Sequence, residues 1–152
     1  MHITLDDLTS TDVRDLVADH LSDMHATSPP ESIHALGPDQ LNGDGVTFWT
    51  IWDDGRLAGC GALKHLGEHE GEIKTMRTVP AMRGRGVAAD MLGHLLAEAR
   101  SRGYRRVSLE TGSQEFFAPA RRLYARHGFV ECPPFGDYTA DPNSVFMTLE
   151  LR

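Results

Sequence analysis

The sequence predicts a mixed α/β domain, and three patterns indicate this class. The turn Asp53-Asp54-Gly55 lies between two apolar segments and predicts an antiparallel hairpin, because glycine accepts the positive φ that tight turns need. Residues 86–103 have the apolar spacing of an amphipathic helix, with Gly103 as its end signal. That helix lies between strand-like segments at 72–79 and 107–111, an order that predicts a parallel β-α-β crossover. The sheet therefore combines antiparallel and parallel pairs.

The other elements follow one another at short intervals, and neither an internal repeat nor a linker interrupts them. A first helix begins after Thr9, Ser10 or Thr11, each of which can cap it, and ends near His25. The remaining predictions, in chain order, are a strand at 2–5, a proline-rich loop at 28–32, a short helix at 38–41, hairpin strands at 46–52 and 56–63, a polar turn at 65–71, a helix at 119–127, strands at 129–131 and 144–151, and a loop at 132–143.

Composition and charge limit the class of protein. The chain has 152 residues, and we expect residues 1–152 to form a single domain. A hydrophobic content of 40% and a charged content of 24% are typical of a soluble globular protein. The formal charge of -7 argues against a nucleic-acid-binding protein. No apolar run approaches the roughly 20 residues that cross a bilayer, so we expect a cytoplasmic protein without membrane contact. Cys60 and Cys132 lack zinc-type spacing, and a homodimer remains open.

A basic, glycine-rich turn precedes the long helix and predicts an anion site. Gly84 and Gly86 allow the backbone to approach a ligand, and Arg83 and Arg85 add positive charge. The first N–H groups of a helix lack intrahelical acceptors and lie at the positive end of the helix dipole. We therefore expect a phosphorylated ligand or cofactor to bind at this turn.

The same turn also matches the dinucleotide-binding pattern, with Gly84, Gly86 and Ala89 as its small residues and Glu110 about 20 residues further on. In that motif the first glycine follows a strand almost directly, whereas residues 80–83 intervene here, so another phosphate-containing cofactor is favoured. The Gly-Lys-Ser/Thr of a P-loop is absent from the sequence.

The sequence offers one pattern for a metal site, His65-x-x-x-His69. The two imidazoles would meet only on a helix, and the neighbouring glycines predict a turn instead. Neither a His-Glu-x-x-His motif nor a cysteine and histidine quartet occurs in the chain. We therefore expect no metal.

Two motifs resemble those of the GNAT family of N-acetyltransferases. Arg83-x-x-Gly86-x-Ala88 is similar to its [Gln/Arg]-x-x-Gly-x-[Gly/Ala] acetyl-CoA signature, and Ala120-x-x-Leu123-Tyr124-x-x-x-Gly128-Phe129 is similar to a second motif of the family. The resemblance covers essentially the whole chain. It implies a central, mixed but mostly antiparallel twisted sheet of about six to seven strands, with helices on both faces and a splayed β-α-β crossover for the cofactor. The runs at 28–32, 72–78 and 134–138 also resemble a bacterial subgroup labelled indole-acetate-type acetyltransferases.

The resemblance implies how acetyl-CoA is bound. The strand before the turn would pair its backbone, from Met76 through Arg77 to Thr78, with the pantetheine amides. Many family members carry asparagine where this chain has Phe117, which suggests Thr111 or Gln114 as a substitute contact. Backbone N–H groups would hold the pyrophosphate, and the residues that carry them are Arg83, Gly84, Arg85, Gly86, Val87, Ala88 and Ala89.

Acetyl transfer to an amine needs a proton acceptor, an oxyanion donor and a proton for the departing thiolate. Tyr124 resembles the family tyrosine near the coenzyme sulfur and is the candidate acid; a core tyrosine is the alternative. Glu72 at the start of the cofactor strand is the first candidate base and Glu110 is its rival, although a glutamate at a strand end is often only a solvated charge. By the same resemblance, the backbone N–H near Met76 is the candidate oxyanion donor.

The acceptor pocket is expected between the first loop, the hairpin and the last loop. Arg77 is the most informative candidate, because a guanidinium near the thioester would bind an acceptor carboxylate and favour amino-acid-like molecules. Pairing of Arg77 with Glu31 or Glu110 is the alternative. The full set of candidates is Pro29, Pro30, Glu31, His34, Trp49, Arg77, Phe135 and Tyr138. Each also has a structural alternative, such as a half-core position for Trp49, turn formation for the prolines and a surface position for His34.

These interpretations together predict an acetyl-CoA-dependent N-acetyltransferase that acts on a small-molecule amine by direct attack. The alternative from another class is a CoA-binding sensor or partner module that has lost turnover. Acetylation of protein lysines is a third hypothesis, and it is disfavoured because the proline-rich and aromatic loops predict a closed pocket.

Overall fold

The computed structural model describes residues 1–151 and contains seven strands and four helices in that range. Three short 3₁₀ turns occur at Pro30–Ser32, Pro80–Met82 and Glu115–Phe117. The elements are β1 His2–Leu5, α1 Thr11–Thr27, α2 Pro38–Leu41, β2 Val46–Asp53, β3 Arg56–Gly67, β4 Glu70–Thr78, α3 Val87–Ser101, β5 Arg106–Gly112, α4 Ala118–Arg126, β6 Val130–Glu131 and β7 Ser144–Glu150.

The strands form one sheet in the order β1-β2-β3-β4-β5-β7-β6. Every neighbouring pair is antiparallel except β4 and β5, which are parallel and joined through α3. A parallel pair needs such a crossover because the chain must return from the end of the first strand to the start of the second, at the opposite end of the sheet. The predicted mixed, mostly antiparallel sheet with one β-α-β unit is therefore confirmed.

Two hydrophobic clusters cover the two faces of the sheet. Helices α3 and α4 pack on one face, where Leu92 and Leu95 are fully buried together with Leu63 of β3. Helix α1 and the short α2 pack on the other face, where Val13 and Leu41 are buried. Residues of one strand alternate between the clusters because successive side chains point to opposite faces. Both faces of the sheet therefore carry apolar side chains, and helices cover both faces as predicted.

The turn predicted at 65–71 is wrong in extent. Strands β3 and β4 extend into the predicted turn as far as the pair Gly67 and Glu70, so that only Glu68 and His69 form the turn. The polar residues of this segment lie at strand ends at the rim of the sheet. Side chains there face solvent, so the sequence lacks the alternating apolar pattern that predicts a strand. His65 lies on β3, and its Nδ1 is 2.7 Å from the hydroxyl oxygen of Tyr104.

Strands β4 and β5 separate after a short paired region. Their pairing runs from Glu70 opposite Arg106 to Ile73 opposite Leu109 and stops there. On its other side β4 has a bulge against β3, where Thr75 adopts a positive φ of 53°. A bulge bends the strand that contains the extra residue. The carboxyl-terminal halves of β4 and β5 therefore splay apart, as the predicted crossover required, and leave a gap in the sheet.

Candidate active site

The gap between β4 and β5 opens into a cavity of about 610 Å³. Its lining comes from the splayed ends of β4 and β5, the starts of α3 and α4, the end of α1 and the segment after α1. The cavity thus connects the glycine-rich turn on one side of the sheet with polar side chains of β4 and β5. Clefts formed where parallel strands separate are common ligand sites in α/β proteins.

The glycine-rich turn has the geometry of an anion site. Gly84 and Gly86 have φ values of 79° and 81°, a conformation that favours glycine, and α3 begins at Val87 directly after them. A Cβ built on either glycine would meet no protein atom within 4 Å, so the space above the turn is open. The N–H groups of the first helical turn face that space without intrahelical acceptors.

Most of the residues predicted to bind the cofactor line this cavity, namely Met76, Arg77, Thr78, Arg83, Gly84, Gly86, Val87, Ala88 and Ala89. The structure places Arg85 elsewhere, because its guanidinium is 3.8 Å from the carboxylate of Asp53 and the side chain is 53% exposed. Any role of Arg85 therefore depends on its backbone and its long-range charge.

Gln114 does not face the cavity as predicted. Its amide nitrogen donates to Asn143 Oδ1 at 3.1 Å, and its backbone carbonyl accepts a bond from Arg121. The short 3₁₀ turn at Glu115–Phe117 directs Phe117 inward instead, where it is buried against Gly112 and lines the cavity with Thr111. Thr111 is therefore the one of the two suggested substitutes that reaches the cavity.

Tyr124 lies on α4 with its ring in the hydrophobic core and lines the cavity. The ring packs edge-on against Phe129 at a centroid distance of 5.8 Å. Its hydroxyl makes no hydrogen bond to another group of residues 1–151 and is not sealed from the cavity. Burial raises the pKa of the phenol, so the hydroxyl stays protonated near neutral pH. A protonated, unpaired hydroxyl in the cavity is able to donate a proton.

Glu110 is the first residue of β5 beyond the region paired with β4, and its side chain lines the cavity. Ser144 on β7 donates a hydrogen bond of 2.7 Å to its Oε2. Burial raises the pKa of the Glu110 carboxyl to about 7, against the lowering effects of Ser144 and Lys74. A carboxyl with a pKa near the working pH is suited to accept and release protons.

Glu72 also faces the cavity, but its carboxylate is occupied. Its Oε2 accepts hydrogen bonds from the Tyr138 hydroxyl at 2.5 Å and from the Lys74 ammonium at 3.3 Å. Only 3% of its side chain is exposed. An acid already bound to a cation and a phenol has less capacity to take a proton from a ligand than an acid without a cation. The geometry therefore favours Glu110 over Glu72 as a proton acceptor.

Arg77 pairs with neither of the partners that the sequence suggested. One terminal nitrogen of its guanidinium, Nη1, donates to Asp23 of α1 at 2.5 Å. Glu31 is exposed on the 3₁₀ turn Pro30–Ser32, and Glu110 bonds to Ser144 instead. This ion pair could not be predicted from the sequence, because 54 residues separate Asp23 from Arg77 and only the packing of α1 on β4 joins them.

The predicted acceptor residues divide into those at the cavity and those outside it. His34 lines the cavity, and the Tyr138 hydroxyl contacts Glu72 and Lys74 on its floor. Phe135 packs on the ring of Tyr138 at a centroid distance of 5.1 Å and so supports it from behind. Pro29, Pro30 and Glu31 lie outside the cavity lining, in the loop that leads to it.

The expectation for Trp49 is wrong. Its side chain is buried on the α3 face of the sheet, where it packs edge-on against His94 of α3 at a centroid distance of 5.0 Å. The neighbouring Phe48 points to the opposite face, toward α1. The strand period of two therefore assigns Trp49 to the hydrophobic core rather than to the acceptor pocket.

The sequence reasoning missed several cavity-lining residues, among them His20, Ser32, Lys74 and Asn143. His20 continues the buried face of α1, and burial, followed by the charge of Arg77, lowers the pKa of its imidazole to about 4. Asn143 donates to the Ser32 hydroxyl at 3.3 Å and thereby connects the two loops that cover the cavity. The alternation of β4 around Glu72 offered a signal for Lys74, since the two share a face.

Among residues 1–151 no group of three or more histidine, cysteine, aspartate or glutamate side chains is arranged to hold a metal ion. In the same range, no helix combines the length and the apolar character that a membrane span requires.

Comparison with known proteins identifies the family. Residues 11–129 match the family model described as the acetyltransferase (GNAT) family. The chain is 56% identical over 151 residues to N-acetyltransferase YsnE of Bacillus subtilis, itself uncharacterised, covering 99% of this chain and 100% of the relative. It is 50% identical over 149 residues to the uncharacterised N-acetyltransferase YedL of Escherichia coli, covering 98% and 94%. It is also 35% identical over 133 residues to an IAA acetyltransferase of Azospirillum brasilense, covering 87% and 84%.

Solved structures have the same fold. A Klebsiella pneumoniae protein described as an acyl-CoA N-acyltransferase matches with a TM-score of 0.80 at 31% identity, covering 99% of this chain and 97% of that one. A Bacillus subtilis acetyltransferase crystallised with CoA matches with a TM-score of 0.74 at 17% identity over 99% of both chains, which shows the fold alone. The chain therefore belongs to the GNAT family of acetyltransferases and is an acyltransferase.

Proposed function

We propose that this protein transfers an acetyl group from acetyl-CoA to the amine of a small molecule. One observation carries the proposal: the open turn before α3 and the two titratable side chains Glu110 and Tyr124 line a single cavity. A ligand that spans the cavity would have its anionic part at the turn and its reactive part between the two side chains. The anionic pyrophosphate and distant thioester of acetyl-CoA suit that arrangement.

The residues at the turn fit the pyrophosphate of the coenzyme. Gly84 and Gly86 present no side chain to the open space, and the first amides of α3 add donors to it. The edge of Met76 to Thr78 that faces β5 is unpaired beyond the end of the β4–β5 pairing and is available to the pantetheine amides, while the other edge pairs with β3. The CoA complex of the structurally similar Bacillus subtilis acetyltransferase supports this assignment.

Glu110 is proposed as the group that accepts a proton from the acceptor ammonium. An amine attacks a carbonyl only in its neutral form, so a nearby base, such as an ionised carboxylate, must take a proton from the ammonium first. Glu110 has the raised pKa and lacks the cation that occupies Glu72. Glu72, the first candidate by sequence, is assigned instead to holding Tyr138 and Lys74 in place.

Tyr124 is proposed as the proton donor to the departing thiolate. Bound acetyl-CoA supplies an acyl group on a sulfur leaving group. The neutral amine attacks the thioester carbonyl, and the C–N bond forms as the carbonyl becomes an oxyanion, which the N–H group near Met76 would stabilise. When the oxyanion collapses, the C–S bond breaks and Tyr124 gives its phenolic proton to the sulfur; the nitrogen loses its excess proton to solvent, from which Tyr124 is reprotonated. The chain needs no nucleophilic serine or cysteine for a direct attack of this kind.

The test is thiol release from acetyl-CoA in the presence of a panel of amines that includes amino acids, aromatic amines, polyamines and a lysine-containing peptide. Acceptor-dependent thiol release by a small amine, with the acetylated product identified by mass spectrometry, supports the proposal. Binding of acetyl-CoA without release for any amine would favour the alternative, a CoA-binding sensor or partner module. Faster acetylation of the peptide than of every small amine would overturn the small-molecule assignment.

A further inference from the structure

The acceptor side of the cavity contains the charged side chains of Glu72, Lys74, Arg77 and Glu110, beside the imidazoles of His20 and His34. Each has a fixed number of hydrogen-bond donors or acceptors. The hydrogen bonds that each already makes within the protein determine how many of its donors or acceptors remain for a ligand. Because unpaired buried donors are costly, retained capacity in a cavity points to the chemistry of the missing partner.

Lys74 retains no capacity. Its ammonium has three donors, and they contact the backbone carbonyl oxygen of His34 at 3.1 Å, the Tyr138 hydroxyl oxygen at 2.8 Å and the Glu72 carboxylate at 3.3 Å. Only 9% of its side chain is exposed. Lys74 and Glu72 therefore neutralise each other, and Lys74 holds the two covering loops to β4 instead of binding the acceptor.

Arg77 retains most of its capacity. A guanidinium has five N–H donors, and within residues 1–151 only Nη1 of Arg77 makes a hydrogen bond, to Asp23. Its Nε is buried and has no partner there. Its Nη2 has no partner there either and is not among the sealed atoms, so it is the nitrogen left to bind a carboxylate by a charge-assisted hydrogen bond. The side chain lines the cavity although only 9% of it is exposed.

Glu110 is the acidic counterpart with retained capacity. It accepts one hydrogen bond, from Ser144, and no lysine, arginine or histidine of residues 1–151 lies within salt-bridge distance of it. His20, the other titratable group of α1 in this part of the cavity, is neutral because burial lowers the pKa of its imidazole. The acceptor side therefore offers one arginine with unused donors, Arg77, and one acid with unused acceptor capacity, Glu110.

We infer that the acceptor is a free amino acid, whose carboxylate is bound by Nη2 of Arg77 and whose amine lies against Glu110. A zwitterion offers a partner to each of these groups, whereas a simple amine leaves Nη2 unpaired and a simple acid leaves Glu110 without a cation. The inference rests on the proposed function and narrows its acceptor class. It also assigns different roles to the two cations: Arg77 recognises the substrate and Lys74 supports the loops.

The first test uses the unmodified protein. Thiol release is measured with free amino acids, with the matching amino-acid amides and with the matching amines that lack the carboxyl group. An amide has a less basic amine than its acid, so without carboxylate recognition the amide would be the better acceptor. We expect kcat/KM for the free acid to exceed that for the amide by about 10- to 100-fold, the range that a hydrogen bond to a charged group gives.

The second test changes the arginine. Arg77→Met should reduce the preference for acid over amide to within about threefold, acting mainly through the KM of the acid. Because that variant leaves Asp23 without its partner, Arg77→Met with Asp23→Asn is made beside it, and thermal unfolding checks that both fold. Arg106→Met is the matched control, because it removes a paired but half-exposed arginine of the same sheet, outside the cavity. The dissociation constant of CoA, measured by calorimetry, should be unchanged in the control.

The outcomes separate this inference from the proposed function. If amines are acetylated but amides and carboxyl-free amines react as well as free acids, the amino-acid inference is overturned and the proposed function stands. If the preference for acids persists in both folded Arg77 variants, another group binds the carboxylate and the role of Arg77 is wrong. If no acceptor releases thiol, the proposed function itself fails.

Discussion

The hydroxyl of Tyr138 donates a hydrogen bond of 2.5 Å to the carboxylate of Glu72, although 66 residues separate them. The bond joins the loop before β7 to the middle of β4, beneath the acceptor side of the cavity. Lys74 completes the arrangement by contacting both groups. Burial and the charge of Glu72 raise the pKa of the Tyr138 phenol, so it acts as a donor near neutral pH. Glu72 thus organises the pocket from which the acceptor reacts.

Removal of the Tyr138 hydroxyl should loosen the covering loop without disturbing the coenzyme turn. We expect Tyr138→Phe to raise the KM of the acceptor by about 3- to 10-fold, because a charge-assisted hydrogen bond that positions the loop is lost. The dissociation constant of acetyl-CoA should stay unchanged. Steady-state kinetics for both substrates and calorimetry for the coenzyme measure the two effects.

Tyr104→Phe is the matched control for this change. Tyr104 is a buried tyrosine and Tyr138 a half-buried one; the Tyr104 hydroxyl also has a short contact, 2.7 Å to Nδ1 of His65, but lies away from the cavity. Tyr104→Phe should lower the free energy of unfolding by about 1 kcal/mol, as Tyr138→Phe does, and should leave the acceptor KM and the dissociation constant of acetyl-CoA unchanged. An equal rise of the acceptor KM in both variants would show that the effect is one of general stability.

The activity should depend on the ionisation of Glu110. Its pKa of about 7 means that the carboxyl loses its capacity to accept a proton as the pH falls below neutrality. With an acceptor whose amine stays protonated throughout the range, so that its own titration does not contribute, we expect kcat/KM to fall about tenfold per pH unit on the acid side. Glu110→Gln should remove most of the activity and this pH dependence. The same loss in Glu72→Gln, with a normal profile for Glu110→Gln, would reverse the assignment of the base.

The raised pKa of Glu110 has a consequence for stability that needs no substrate. The folded pKa of about 7 exceeds the ordinary value of 4.5, so folding disfavours the ionised form, and stability is lost as the pH rises through that window. Glu110→Gln removes this loss. We expect the variant to be more stable than the wild type by on the order of 3 kcal/mol at about pH 8, with the difference disappearing near about pH 4. Urea unfolding at several pH values measures it, and a difference independent of pH would contradict the burial of a neutral carboxyl.

The turn before α3 should bind acetyl-CoA through its backbone. Gly86→Val introduces a branched side chain at φ 81° and into the open space above the turn, so we expect at least about a tenfold weaker affinity for acetyl-CoA. Arg85→Ala should weaken binding only about two- to threefold, because Arg85 contributes exposed charge and pairs with Asp53. Gly93→Ala, an exposed glycine within α3, should stabilise the protein by about 1 kcal/mol and leave binding unchanged. Equal affinities for the wild type and Gly86→Val would refute the anion-site assignment.

Tyr124 should matter for turnover more than for binding. Tyr124→Phe keeps the buried ring and its contact with Phe129 but removes the hydroxyl that faces the cavity. We expect kcat to fall by about 100-fold, in the range typical of a lost general acid, with the affinity for acetyl-CoA within about twofold of the wild type. Unchanged turnover would leave Tyr124 as a core residue only.

Local sequence determined the sheet and the coenzyme side of the cavity. The hairpin followed from Gly55, and the anion site followed from the spacing of Gly84 and Gly86 before an amphipathic helix. Such features depend on backbone conformation and on periodicity over a few neighbouring residues, which the chain encodes without reference to distant segments. The extent of the turn near His65 was missed because strand ends at the rim of a sheet have a polar sequence.

The acceptor side was decided by tertiary structure. Arg77 meets Asp23 and Tyr138 meets Glu72 only because α1 and the last loop pack on the same face of β4. Trp49 was assigned to the wrong face because the sequence does not say which side of a strand becomes the core. The preference for Glu110 over Glu72 as proton acceptor depends on the burial and the bonding partners of each side chain, because the surroundings of a carboxyl group determine how readily it takes a proton. The sequence by itself thus determined the backbone site for the donor, whereas charges brought together over long distances in the chain decided the side-chain site for the acceptor.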